Sequence, residues 1–130
     1  MELTTKQALT AYAEMMNSCD SSNFERLLAD DLVGTSQAVL TNITSKAEYV
    51  AYIRQKLKTI KQSNAAVFAE LGELNAYGHT ECVVIAQNDK DNLVGTAFIT
   101  VKDNKIKQID LCSVPSPTQA KRSGIYPIPN

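Results

Sequence analysis

The chain has 130 residues, the length of one ordinary domain. Its content, 44% hydrophobic and 21% charged, excludes the disordered class. Thirteen Lys+Arg against fourteen Asp+Glu leave a net charge of −1, without the basic excess that binds nucleic acid or an anionic membrane surface. No apolar run approaches the ~20 residues of a membrane helix. The opening Met1-Glu2-Leu3-Thr4-Thr5 lacks the basic and apolar regions of a signal peptide, so a cytoplasmic location is expected. Cysteines 19, 82 and 112 are odd in number and have no CxxC spacing; they read as buried free thiols.

Thr4-Thr5-Lys6-Gln7 is a capping box, and Leu9, Tyr12, Ala13, Met16 and Cys19 follow at helical spacing, which predicts a helix to about Ser18. A second box, Ser22-Asn23-Phe24-Glu25, predicts a short helix with Phe24, Leu27 and Leu28 inward, ended by Ala29-Asp30-Asp31. Leu32 to Ile43, rich in Val, Thr and Leu around Gly34, reads as one or two brief strands. Ser45-Lys46-Ala47-Glu48 opens a third helix whose stripe of Tyr49, Val50, Ile53, Leu57 and Ile60 ends near Lys61. From there the period changes to two. Residues 65–74, 80–87, 93–102 and 105–113 are four successive strand candidates, separated by turn-forming clusters of hairpin length. The four prolines, at 115, 117, 127 and 129, predict an extended, non-helical tail, free or docked. Helices grouped before an antiparallel meander predict an α+β fold: a cone-shaped curved antiparallel sheet with the N-terminal helices packed on its concave face.

The stretch Tyr12 to Val33, "YAEMMNSCDSSNFERLLADDLV", and the closing "GTAFITVKDNKIKQIDLCSV" resemble the first helices and last hairpin of the nuclear transport factor 2-like (NTF2-like) superfamily, which includes SnoaL-like polyketide cyclases and ketosteroid isomerases. The resemblance implies a cone domain over residues 1–114, with a Pro-rich tail over 115–130. It also implies an internal pocket for a small apolar or mixed-polarity molecule. Tyr12 resembles the oxyanion tyrosine of ketosteroid isomerases; a core tyrosine with a packed ring is the competing reading. The general base of that family aligns near Ser36, which cannot abstract a proton from carbon. Its protonated acid aligns near Ala97, which has no donor. Steroid isomerisation is therefore disfavoured.

Asp110 is the other candidate acid or base. Period-two alternation puts Ile106, Gln108, Asp110 and Cys112 on one face of the last strand, with Ile109 and Leu111 on the other. The resemblance turns the Asp110 face toward Tyr12, where apolar walls would raise its pKa; a solvated Asp110 at the sheet mouth or a dimer face is the alternative. Tyr52 lies at the edge of the third helix's stripe and is expected at the pocket rim. The expected pocket thus comprises Tyr12, Ser36, Tyr52, Ala97, Gln108, Asp110 and Cys112. One histidine, His79, in a predicted turn, gives no metal site, and no cofactor motif appears. The basic residues Arg54, Lys56, Lys58 and Lys61 spread around their helix and read as a solvated face.

Strands 80–87 and 93–102 are apolar on both faces, and the helices cover only one. A homodimer through the outer sheet face is expected to bury the other. Two functions remain open: a ligand-binding protein of SnoaL-like type, or a non-enzymatic interaction module, such as an adaptor or toxin-neutralising protein, on the same fold.

Overall fold

The computed structural model describes residues 2–37 and 39–129, without the side chains of 39–41. Helix α1 (Thr5–Ser18) begins where the Thr4 hydroxyl accepts from the Gln7 amide at 3.1 Å and the Gln7 side chain accepts from the Thr4 amide at 2.9 Å. Ala8, Leu9, Tyr12, Ala13, Met15 and Met16 form its buried face, and Cys19 ends it in the left-handed conformation, φ 56°. Helix α2 (Ser22–Glu25) is shorter than the pattern suggested. The Asp20 carboxylate accepts from the Ser22 amide, and the Glu25 side chain leaves the helix for Ser21 and Arg54 instead of closing a capping box. Strand β1 (Leu28–Ser36) follows at once, so Ala29-Asp30-Asp31 lies within the strand and does not end a helix. Strand β2 (Val39–Ile43) pairs antiparallel with β1. Helix α3 (Lys46–Gln62) is capped by Ser45 and buries Tyr49, Ile53 and Leu57.

The meander is β3 (Val67–Ala76), β4 (His79–Gln87), β5 (Leu93–Lys102) and β6 (Lys105–Cys112). The seven-stranded sheet runs β2-β1-β6-β5-β4-β3-β7. Every neighbouring pair is antiparallel except β1 and β6, which are parallel because the chain crosses from one to the other through α3 and the meander. All three helices lie on one face. There Tyr12, Phe24, Leu32, Tyr49, Ile53, Val83, Ala97, Ile99, Ile106 and Ile109 form one core. A second, smaller cluster of Leu74, Cys82, Val84, Phe98 and Cys112 lies on the outer face.

The tail is folded onto the sheet. Pro117–Gln119 makes a single 3₁₀ turn packed against β5, which corrects the non-helical reading, and β7 (Lys121–Arg122) extends the sheet antiparallel to β3. The outer cluster that was expected to need a second copy is thereby covered within one chain. Phe98 is fully buried, His79 stacks on its ring at 5.2 Å, Tyr77 meets it edge-on at 6.2 Å, and Ala120 packs beside it. His79 is accordingly a packed strand residue and not an exposed turn. No helix of the described residues is long and apolar enough to cross a membrane.

Candidate functional site

A cavity of about 400 Å³ lies between α3 and the β1–β6 side of the sheet. Gly34 and Ser36 of β1, Ile43 of β2, and Ile109 and Leu111 of β6 make its floor and walls, and Glu48, Tyr49, Ala51 and Tyr52 close it from α3. A second cavity of about 250 Å³ shares Ser36, Tyr52 and Leu111 with the first and continues past Lys56, Ile85 and Val94. The two form one groove with Tyr52 at its waist.

An aromatic row leads from the core to this waist. The rings of Tyr12 and Phe24 meet edge-on at 5.6 Å, Phe24 and Tyr49 at 6.2 Å, and Tyr49 and Tyr52 at 6.0 Å. Burial, then the neighbouring phenols, pushes the Tyr49 hydroxyl well above its ordinary range, and burial does the same to Tyr12. Both phenols therefore stay protonated and can donate. Tyr12 is 1% exposed and sits behind Phe24 and Tyr49, beneath the cavity and not on its lining. Ala97 is likewise core, opposite Leu111 in the β5–β6 ladder.

Of the seven residues expected there, Ser36 and Tyr52 line this cavity. Gln108 and Asp110 are not turned into it, Cys112 borders only the smaller cavity, and the reason is a β-bulge. Val101 pairs with Ile106, but Thr100 pairs with Gln108, so Lys107 is an extra residue. The bulge breaks the alternation and puts Ile106, Ile109 and Leu111 on the helix side. Asp110 faces outward opposite Phe98, where it accepts from the Thr35 hydroxyl at 2.5 Å and from Gln108 Nε2 at 2.9 Å. Cys112 belongs to the outer cluster, where burial and then Asp110 raise its thiol pKa. Asp110 and Tyr12 thus lie on opposite sides of the sheet and share no site.

The sequence reading missed Glu48, Lys56, Ile109 and Leu111. Glu48, Tyr52 and Lys56 recur every four residues on α3, a spacing that marks one helix stripe, but two of the three are charged and the stripe carried no apolar signal. Among the described residues no group of three or more His, Cys, Asp or Glu side chains converges as a metal site would require.

No protein-family model and no curated relative matches the chain. Solved structures do. An NTF2-like protein of unknown function from Cytophaga hutchinsonii aligns over 91% of this chain and 96% of its own, with TM-score 0.61 and 9% identity. A protein with a ketosteroid isomerase-like fold from Catenulispora acidiphila, solved in complex with trimethylamine, aligns over 88% of this chain and 90% of its own, with TM-score 0.57 and 16% identity. The fold is NTF2-like. An epoxide hydrolase of M. tuberculosis shares this NTF2-like architecture, with TM-score 0.54 and 16% identity over 82% of both chains. The resemblance read from the two sequence stretches is thus confirmed at the level of fold.

Proposed function

We propose that this NTF2-like chain binds a small, largely apolar molecule in the cavity between α3 and β1–β6. The observation that carries the reading is the cavity: about 400 Å³ of space walled by Ile43, Tyr49, Ile109 and Leu111, with few polar groups, which is the usual character of a small-molecule site. Binding without acid/base chemistry on the isomerase pattern is favoured by three placements. Ser36 stands on the cavity wall where the resemblance puts a base, Ala97 is in the core, and Asp110 is outside. The lining carboxylate among the described residues is Glu48, whose Oε1 accepts from the Thr44 and Ser45 hydroxyls at the start of α3.

The test is a fluorescence titration with the neutral apolar dye Nile red. Ala51 is exposed on α3 and lines the cavity, so Ala51→Trp fills the space without disturbing the core. The wild type is expected to bind and enhance the dye, and Ala51→Trp to weaken binding at least tenfold with an unchanged circular dichroism spectrum. A wild type that does not bind, or a variant that binds equally well, overturns the reading.

A further inference from the structure

We propose that the molecule this groove accepts is an amphipathic monoanion, with an apolar body in the larger cavity and a carboxylate-like head held by Lys56. The proposal rests on the cavity reading above and adds the charge and orientation of the ligand.

The first observation is the state of Lys56. Arg54 is paired with Glu25, Lys107 with Asp31, and Arg122 with Glu70 and Asp91. Lys56 lines the smaller cavity, and among the described residues no carboxylate lies within ion-pair distance of its ammonium. Its one hydrogen bond is a long one, 3.4 Å, donated to the Tyr52 hydroxyl. The ammonium also lies 5.7 Å from the centroid of the Tyr52 ring. A lysine beside an apolar wall, with a protein partner only in a phenol, is arranged to gain from a charge-assisted bond to an incoming anion.

The second observation is polarity along the groove. Glu48 and Lys56 are eight residues apart on one stripe of α3, about 12 Å along the helix axis. Glu48 closes the end of the larger cavity at the start of α3, and Lys56 stands in the smaller one two turns on. An anion is attracted to one end and repelled from the other. Tyr52, at the waist, can turn its hydroxyl proton toward the same head, because Lys56 supplies the donor in their mutual bond. The apolar body then lies against Tyr49, Ile109 and Leu111.

The experiment compares octanoate, octanol and octylamine by isothermal titration calorimetry on the wild type, Lys56→Met and Lys56→Glu. Both variants change a side chain outside the buried face of α3 and are checked by circular dichroism. The wild type is expected to bind octanoate about tenfold or more tightly than octanol, the difference one hydrogen bond to a charged group supplies. Added salt should reduce that preference. Lys56→Met should bring octanoate down to octanol, and Lys56→Glu should favour octylamine. Equal wild-type binding of octanoate and octanol, or a preference that survives Lys56→Met, overturns the proposal. Tightest binding of octylamine overturns it too and makes Glu48 the polar anchor. If Nile red binds and none of the three does, the anion proposal falls and the cavity reading stands; if nothing binds, both fall.

Discussion

Cys82 shows how one residue's burial becomes a property of the whole chain. It is 1% exposed between Val84 and Phe98, and burial pushes its thiol from 9.0 up to about 12. The folded state holds this proton where the unfolded chain releases it. Its contribution to stability is therefore full below pH 9 and lost as pH rises toward 12. Tyr12 and Tyr49, both raised by burial, act in the same direction at higher pH. Urea unfolding is expected to show stability falling through this alkaline window, with a shallower fall in Cys82→Val. In native protein near pH 8, a thiol reagent should modify the partly exposed Cys19 well before Cys82, which should react at the rate of unfolding. Equal native reactivity of the two would show that the outer cluster is open.

The tail is held to β3 as an element, and two residues of β3 decide how. Glu70 is 3% exposed; its carboxylate accepts from Arg122 Nε and the Gly124 amide, both at 2.7 Å, and from the Tyr126 hydroxyl at 3.3 Å. Gly72 lets β7 come close, since a Cβ there would lie 2.9 Å from Val84 Cγ2 and 3.0 Å from the Lys121 carbonyl. Asn17 of α1 completes the clamp by donating to the carbonyls of both Ala69 and Pro127. Glu70→Ala is expected to lower stability by about 2 kcal/mol, since it removes bonds to a charged group. In Gly72→Val the Ser123 and Ile125 amides, bonded to Leu71 O and Ser123 Oγ in the wild type, should lose protection from hydrogen exchange while those of β4 and β5 keep it. Strands and helices were legible in the sequence because their periods are intact: α1, α3 and the meander lie within about two residues of the pattern. What was not legible is long-range. Nothing local to Glu70 announces partners some fifty residues away, and the bulge at Lys107 has no glycine or proline to mark it.

At the scale of the whole molecule, the outer sheet face that prompted the dimer expectation is the face on which the tail docks. Leu74, Cys82, Val84 and Phe98 make that face apolar, and the 3₁₀ turn at Pro117, with Ala120, Tyr77 and His79, covers it. Gln37 helps to fix the approach: its Oε1 accepts the amides of Ser113 and Val114, and its Nε2 donates to the Tyr77 hydroxyl. A chain lacking residues 115–130 is expected to expose this face and self-associate, which light scattering would show as a mass increase over the full chain at the same concentration. An unchanged mass would mean that the remaining cover is sufficient. The bulge has a consequence for kinship as well. The same letters in β6 can describe two molecules turned inside out with respect to one another, because a single inserted residue sets the phase of everything after it. Two descendants of one ancestor could both keep aspartate in the column of Asp110, one with the bulge and one without, and present it to opposite sides of the sheet. Whether such a lineage keeps an acid in its cavity is then decided by one insertion or deletion near Lys107, with no change in the acid itself.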